Sequence, residues 1–314
     1  MDTEGSSIPF SIPFTGFRFT SSNSHQPLPS TNKNRHGMPW RSSISKDDSD
    51  SCMFMPFWEW QLAYFEQELT NFKLLPLNDT SLEYVETKNR SHRMVTLVGT
   101  SDEYRWIRMT YMDGGKQAQV YTSVCYPRDG YPILGIDLLQ FGGKRHLTIV
   151  DFQPLGGAEE GAFYQDAQFE HLLEPIRQTV PSLQHPMTDK FYDPNRYFSK
   201  QTLLGRFQST ETVWQELWPA YQAYVRTHVQ QIKQQQDKGT DSSSIQPPHA
   251  RRSREEILKQ HSAYDTYVAA RDPAHPMFAS LFGHKFANDY LYQVLFPLAE
   301  RNKEEGNDDS AIVP

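Results

Sequence analysis

Tyr131-Pro132-Ile133-Leu134-Gly135-Ile136-Asp137-Leu138-Leu139-Gln140-Phe141 is the stretch on which the fold turns. It is a short, largely apolar run that ends at Gly142-Gly143, a length and punctuation that suit a β-strand. Side chains alternate along a strand, so Leu134, Ile136 and Leu138 share one face while Gly135, Asp137 and Leu139 share the other. The same period-two texture recurs on both sides, at residues 93–98, 106–112, 117–126 and 146–152. Asp113-Gly114-Gly115 and Gly142-Gly143 separate neighbouring runs, and turns of that composition predict an antiparallel meander.

The flanking sequence is helical in pattern. Phe57, Trp60, Leu62, Phe65 and Leu69 approximate one stripe ahead of the sheet. Beyond Leu155, residues 169–180 form an amphipathic run that stops at Pro181. Residues 211–235 carry Val213, Leu217, Ala220, Tyr221, Tyr224 and Val225 at helical spacing, with a kink expected at Pro219. Residues 254–270 and 277–296 complete the set. Helices before and after one sheet predict an α/β fold, a three-layer α/β/α sandwich with a central antiparallel sheet.

The folded region is expected over residues 56–300, with a polar, Ser-bearing insertion at about 234–252 and a disordered tail at 301–314. Residues 1–55 are rich in Ser, Pro and Asn, and prolines break the apolar run Ile8-Pro9-Phe10-Ser11-Ile12-Pro13-Phe14, so a disordered extension is expected. Arg18, Lys33, Arg35 and Arg41 among serines suit a plastid transit segment, whereas Asp2, Glu4, Asp47, Asp48 and Asp50 do not. Composition leaves both readings of this segment open.

Several function classes drop out. A formal net charge of −7 argues against nucleic acid as a partner. No apolar run approaches the roughly 18 residues of a membrane span, so a soluble chain is expected. The two cysteines, Cys52 and Cys125, fit no zinc or redox spacing, and His275 and His284 are too far apart to chelate on one helical face, so no metal is expected. Neither a Gly-x-Ser-x-Gly elbow nor a Gly-rich loop between strand and helix is present, which disfavours acyl-enzyme and nucleotide chemistry.

Three aspartates stand out. Asp137 is an acid flanked by apolar residues in mid-strand, costly to ionise unless paired or hydrogen-bonded. Desolvation there would raise its pKa, as a proton donor near neutral pH requires, but a structural acid held by its neighbours fits the same pattern. Gly135, on the same face, would let a bulky ligand approach the backbone. Asp272, in Arg271-Asp272-Pro273, has the form of a helix cap, and Asp151 sits where a strand should end and is expected to organise the exit turn.

An ordered series of segments carries a family resemblance over roughly residues 57–297. In order they are Tyr104-Arg105-Trp106-Ile107-Arg108-Met109-Thr110, Val120-Tyr121-Thr122-Ser123-Val124-Cys125-Tyr126-Pro127 and Leu134-Gly135-Ile136-Asp137-Leu138-Leu139. Asp151-Phe152-Gln153-Pro154-Leu155, Phe191-Tyr192-Asp193-Pro194-Asn195-Arg196-Tyr197-Phe198-Ser199, Ala263-Tyr264-Asp265-Thr266-Tyr267 and Arg271-Asp272-Pro273-Ala274-His275 follow. Leu281-Phe282-Gly283 and Val294-Leu295-Phe296-Pro297 close the series. Together these resemble the ferredoxin-dependent bilin reductases. The resemblance implies an α/β/α fold that binds a linear tetrapyrrole between the sheet and the C-terminal helices. It also implies no bound cofactor, with reduced ferredoxin as the external one-electron donor.

Within the family the chain looks most like the subgroup that reduces the C15=C16 double bond of biliverdin IXα on the route to phycoerythrobilin. The phycocyanobilin-forming branch carries a Glu–His pair on neighbouring strands, where this sequence has Thr110 and Thr122. Thr122 also departs from the Asn of the closest subgroup. The resemblance makes Asp137 and Asp272 the proton donors, with Asp272 over the opposite face of the pigment. Thr122 and Gly135 match substrate-contacting positions, and Arg206 and Arg271 are the candidates for the pigment's propionates. A monomer in the plastid stroma, or alternatively a cyanobacterial cytoplasm, is expected, with a downstream bilin reductase as a further partner.

Overall fold

Period-two alternation locates the core strands to within two or three residues. The computed structural model describes residues 52–155, 162–187, 192–193, 196–239 and 253–300. All of them fall in one of the chain's two units, residues 44–314. The strands are β1 (Lys73–Leu75), β2 (Tyr84–Glu86), β3 (Arg93–Thr100), β4 (Tyr104–Asp113), β5 (Ala118–Pro127), β6 (Ile133–Phe141), β7 (Arg145–Gln153) and β8 (Leu203–Phe207). They form one eight-stranded sheet in the order β1-β3-β4-β5-β6-β7-β8, with β2 also paired to β3. Every ladder is antiparallel. The β6–β7 turn uses Gly142 and Gly143 at φ 58° and 71°, values open to glycine at little steric cost.

β1, β2 and β8 escape the alternation reading because three to five residues are too few to show a period. Two helix expectations change. The predicted helix at 277–296 is split at Gly283, whose φ of 94° lies outside helical space, into His275–Phe282 and His284–Tyr290 with a wider π-turn at Leu291–Leu295. The polar insertion expected from residue 234 begins later, since helix Trp218–Gly239 runs through Gly239. The rest of that insertion, most of the N-terminal extension and the 301–314 tail lie outside the described residues. At Pro219 the chain adapts with a π segment, Val213–Leu217, directly ahead of the helix. Proline cannot donate to, and clashes with, the carbonyl four residues back, and a wider turn relieves that.

The sheet separates two helical layers, as predicted. On the face carrying Tyr121 and Ser123, helices Met55–Glu68 and Trp218–Gly239 close over the strands. Gln61, fully buried, donates to Ser123 at 2.9 Å and accepts from the hydroxyls of Tyr121 (2.6 Å) and Tyr221 (2.7 Å). That one amide joins a strand and both helices, and losing it would take an acceptor from the buried Tyr121 hydroxyl, whereas Tyr221 keeps the Phe57 carbonyl at 3.0 Å.

The other face receives the C-terminal helices. Met94, Val98 and Met112 pack with Tyr290, Leu291 and Val294 in one apolar cluster. Helix Arg254–Ala269 is tied down by Asp265, which is fully buried and accepts from the Tyr126 hydroxyl (2.7 Å) and the Leu298 backbone N–H (3.0 Å).

Burial raises the Asp265 pKa to about 6, against the pull of those two donors and of Arg105 and Arg108. The folded state therefore prefers the protonated acid. Its contribution to stability is full below the ordinary carboxylate range and is lost as pH rises through about 6. Urea unfolding of the parent and Asp265→Asn between pH 4.5 and 7.5 should show the parent losing stability with rising pH relative to the variant. Parallel curves would contradict this assignment.

Candidate functional site

Cross-strand register builds the site. Thr96, Thr110, Thr122, Asp137, Ile149 and Leu204 lie opposite one another in a single row across β3 to β8. Residues two positions along each strand share that face, so Gly135, Leu139, Val120, Arg108, Leu147, Asp151 and Arg206 face the same way. At the β3–β4 end the row is closed. Thr96 and Thr110 are buried and meet at 3.1 Å, and the Tyr290 hydroxyl reaches both, at 2.6 and 2.8 Å.

From β5 to β8 the same face opens. Val120, Thr122, Leu139, Leu147 and Ile149 are half-buried, Asp137 and Arg206 are exposed, and the alternate positions Tyr121, Leu138 and Val150 are buried against the opposite layer. The result is an apolar floor with one carboxyl near its middle. Asp137 is thus more accessible than an isolated acid in an apolar strand suggests. Protein around it still withholds enough water to raise its pKa, while a hydrogen bond from Thr122 and the charge of Arg108 hold it down.

Asp272 joins this carboxyl electrostatically. Its pKa rises to about 6, chiefly by desolvation and further through the charge of Asp137; the Ala274 N–H, Arg108 and His275 oppose the rise. Asp272 accepts from the Ala274 N–H at 2.8 Å, so it organises the turn into helix His275–Phe282 while Ala274 takes the cap position itself. Local turn-former and member of an acid pair are compatible roles. Tyr192 is pushed far up by burial and by the charges of both acids.

The remaining expected residues separate. Arg206 is on the correct face but on edge strand β8, roughly 12 Å from Asp137 between Cα positions by strand spacing and rise. Arg271 stacks on Tyr267, 4.2 Å from the ring centroid, and donates to the Tyr267 carbonyl at 3.2 Å. The space beside Gly135 is taken by Gln153, since a Cβ there would lie 2.6 Å from the Gln153 amide carbon. Gln153 in turn accepts from the Tyr264 hydroxyl at 2.6 Å. Asp151 accepts from the Ser199 N–H at 3.0 Å and from its hydroxyl, pinning the segment that precedes β8.

Sequence reasoning missed Arg108, Gln153, Tyr264 and Tyr290. Arg108 had a signal, a lone cation within an alternating strand, whereas Tyr290 and Tyr264 reach the site only through tertiary packing. Phe191, Pro194 and Asn195 of the quoted motif lie outside the described residues. The described residues hold no cluster of metal-ligating side chains. A surface groove at Glu86, Lys88, His92, Gln117 and Phe282 carries neither acid and lies beyond the turn end of the row.

The face thus combines an apolar surface, an accessible acid and, beside it under the C-terminal helices, a second acid with a raised pKa. The family model for ferredoxin-dependent bilin reductase matches residues 64–297, and the chain belongs to that family of oxidoreductases. It is 37% identical over 254 residues to 15,16-dihydrobiliverdin:ferredoxin oxidoreductase of Gloeobacter violaceus, covering 78% of this chain and 95% of that protein. The enzyme of the same name from Nostoc punctiforme is 36% identical over 202 residues, 62% of this chain and 75% of its own length. Among solved structures, phytochromobilin synthase from tomato in complex with biliverdin superimposes with a TM-score of 0.61 at 16% identity, over 79% of this chain and 86% of that one. At that identity the likeness speaks for the fold.

Gly135→Ala should force Gln153 aside and cost about 1–3 kcal/mol of stability. Adding Gln153→Ala should recover part of that loss, since the clashing amide is gone. A double-mutant cycle by urea unfolding checks this, and strict additivity would contradict the contact.

Proposed function

We propose that this chain reduces biliverdin IXα at the C15=C16 double bond to 15,16-dihydrobiliverdin, in phycobilin biosynthesis leading to phycoerythrobilin. The observation that carries the reading is the half-open apolar floor around Asp137 with Asp272 coupled to it. A planar tetrapyrrole needs an extended apolar surface, and its reduction needs acids that hold a proton near neutral pH. Two electrons enter one at a time from reduced ferredoxin, and two protons enter from the protein. Asp137 delivers the first and Asp272 assists the second. The family match and the names of the cyanobacterial relatives support the substrate and the donor.

In this reading the protein carries no resident redox group, so its residues bind, orient and protonate the pigment and exclude water from its radical states. Thr122 steadies the Asp137 carboxyl. Arg206, exposed at the rim of the floor, is the better placed of the two arginines for a propionate, because Arg271 is already engaged with Tyr267. The protein acts as a monomer in the plastid stroma, a location supported by the composition of residues 1–55, and hands its product to a second bilin reductase. No helix of the described residues is long and apolar enough to cross a membrane.

The test is an anaerobic assay with biliverdin, ferredoxin and a ferredoxin-reducing system, with the pigment identified by chromatography. 15,16-Dihydrobiliverdin is expected. Phycoerythrobilin or phytochromobilin would move the assignment to a sister activity, and unchanged pigment despite binding and electron supply would indicate a carrier. Asp137→Asn should bind biliverdin as the parent does and lose turnover by about 10²-fold or more, the usual scale of a general acid; parent-like product formation would remove Asp137 from its role.

A further inference from the structure

Arg108 is buried, with 3% of its surface exposed, on the face of the sheet that carries the acids. Register places it one step from the central row, opposite Val124 and, through it, Gly135. Its side chain bends along the strand to that row. One terminal nitrogen donates to the Thr110 hydroxyl at 3.2 Å, the other approaches the Thr122 hydroxyl at 3.5 Å, and Nε has no acceptor. Among the described residues it makes no ion pair. A guanidinium keeps its charge at any ordinary pH, and a buried charge without a close counter-ion is costly. Bracing two threonines at long range does not account for that cost, since a neutral amide could do it. What a neutral group could not supply is a positive field two strands away from Asp137 on the same face.

We propose that Arg108 is a positioning residue of the site: its buried guanidinium, without an ion-pair partner among the described residues, braces Thr110 and faces Thr122, directly opposite Asp137, and so sets a fixed positive charge on the acid-bearing face. This rests on reading the site as one that protonates bound biliverdin. Thr122 is the hinge, because it lies directly opposite Asp137, helps hold that carboxyl's pKa down, and faces the guanidinium at 3.5 Å.

The charge of Asp137 raises Asp272, as a like charge does, and an acid held too firmly protonated is a poor donor. Arg108 is the cation that acts on both. The other charged or titratable groups around this centre include Asp265 and Tyr264 from helix Arg254–Ala269, Tyr290 at the end of helix His284–Tyr290, Tyr192 from the loop, and His275 beside Asp272. Of the further cations, His275 acts on Asp272, Arg271 is engaged with Tyr267, and Arg206 stands at the β8 rim.

Infrared difference titration of the carboxyl band, with Asp137→Asn as the reference that assigns it, reads the claim on the pigment-free protein. The midpoint should rise by about one pH unit in Arg108→Gln, the lower end of what an opposite charge within a few ångströms supplies. Arg108→Lys, which keeps the charge, should stay near the parent. In anaerobic single-turnover reduction of biliverdin, the alkaline limb of the rate profile should move up by the same amount in Arg108→Gln, with slower proton transfer below it. Arg108→Met, which keeps the apolar stem and removes the charge, should shift the midpoint in the same direction, and it serves if Arg108→Gln does not fold. Unchanged midpoints in folded Arg108→Gln or Arg108→Met, or equal shifts in the Gln and Lys variants, would overturn the proposal. Parent protein that titrates as expected but never reduces biliverdin would instead refute the functional reading and leave the role of Arg108 standing.

Discussion

One sheet here serves two incompatible neighbours, and the alternation of strand side chains is what allows it. Residues such as Leu138, Ile136 and Val150 point into a closed apolar layer, while Asp137, Thr122 and Arg108 point the other way. A slip of one residue in β6 would bury Asp137 under helices that offer it no partner and turn Ile136 or Leu138 toward the open floor. The register is therefore held hard on the closed side, by Gln61 with Tyr121, Ser123 and Tyr221, so that the other side can be left partly uncovered.

Charge placement follows from that division. Two fully enclosed acids are tied to the frame: Asp265 by Tyr126 and Leu298, Asp151 by Ser199. Asp137 and Asp272 are only partly enclosed. Desolvation raises the pKa of each above the ordinary carboxylate value, and each retains a donor, Thr122 or the Ala274 N–H, that holds the rise down. A carboxyl that must give up and regain a proton needs both conditions.

Much of the fold was legible in the sequence. β3 to β7 repeat a two-residue period over eight to ten residues and, from β4 onward, are separated by glycine-bearing turns, so strand type and antiparallel pairing could be read directly. β8 could not, because five residues carry little pattern and its pairing with β7 bridges about fifty residues of chain. The site was half legible. Asp137 stood out as an acid in an apolar strand, but its accessibility depends on where the C-terminal helices stop covering the sheet, which no local pattern encodes. The glycine at 135 was visible and its use was not, since the Gln153 amide that fills the space comes from β7. Gly283 was likewise visible, yet its left-handed backbone, which splits a predicted helix and turns Tyr290 onto Thr96 and Thr110, emerges only in three dimensions.

The central claim is that the open half of this face is where the pigment is protonated. A crystal structure of the protein with biliverdin measures it most directly. The account predicts the tetrapyrrole lying on the floor formed by Val120, Leu139, Leu147 and Ile149, with Asp137 and Asp272 on its two faces and the Asp137 carboxyl about 3 Å from a bilin atom. Biliverdin seated in the groove beside Glu86 and Phe282, or bound with Asp137 well beyond hydrogen-bonding distance, would contradict it.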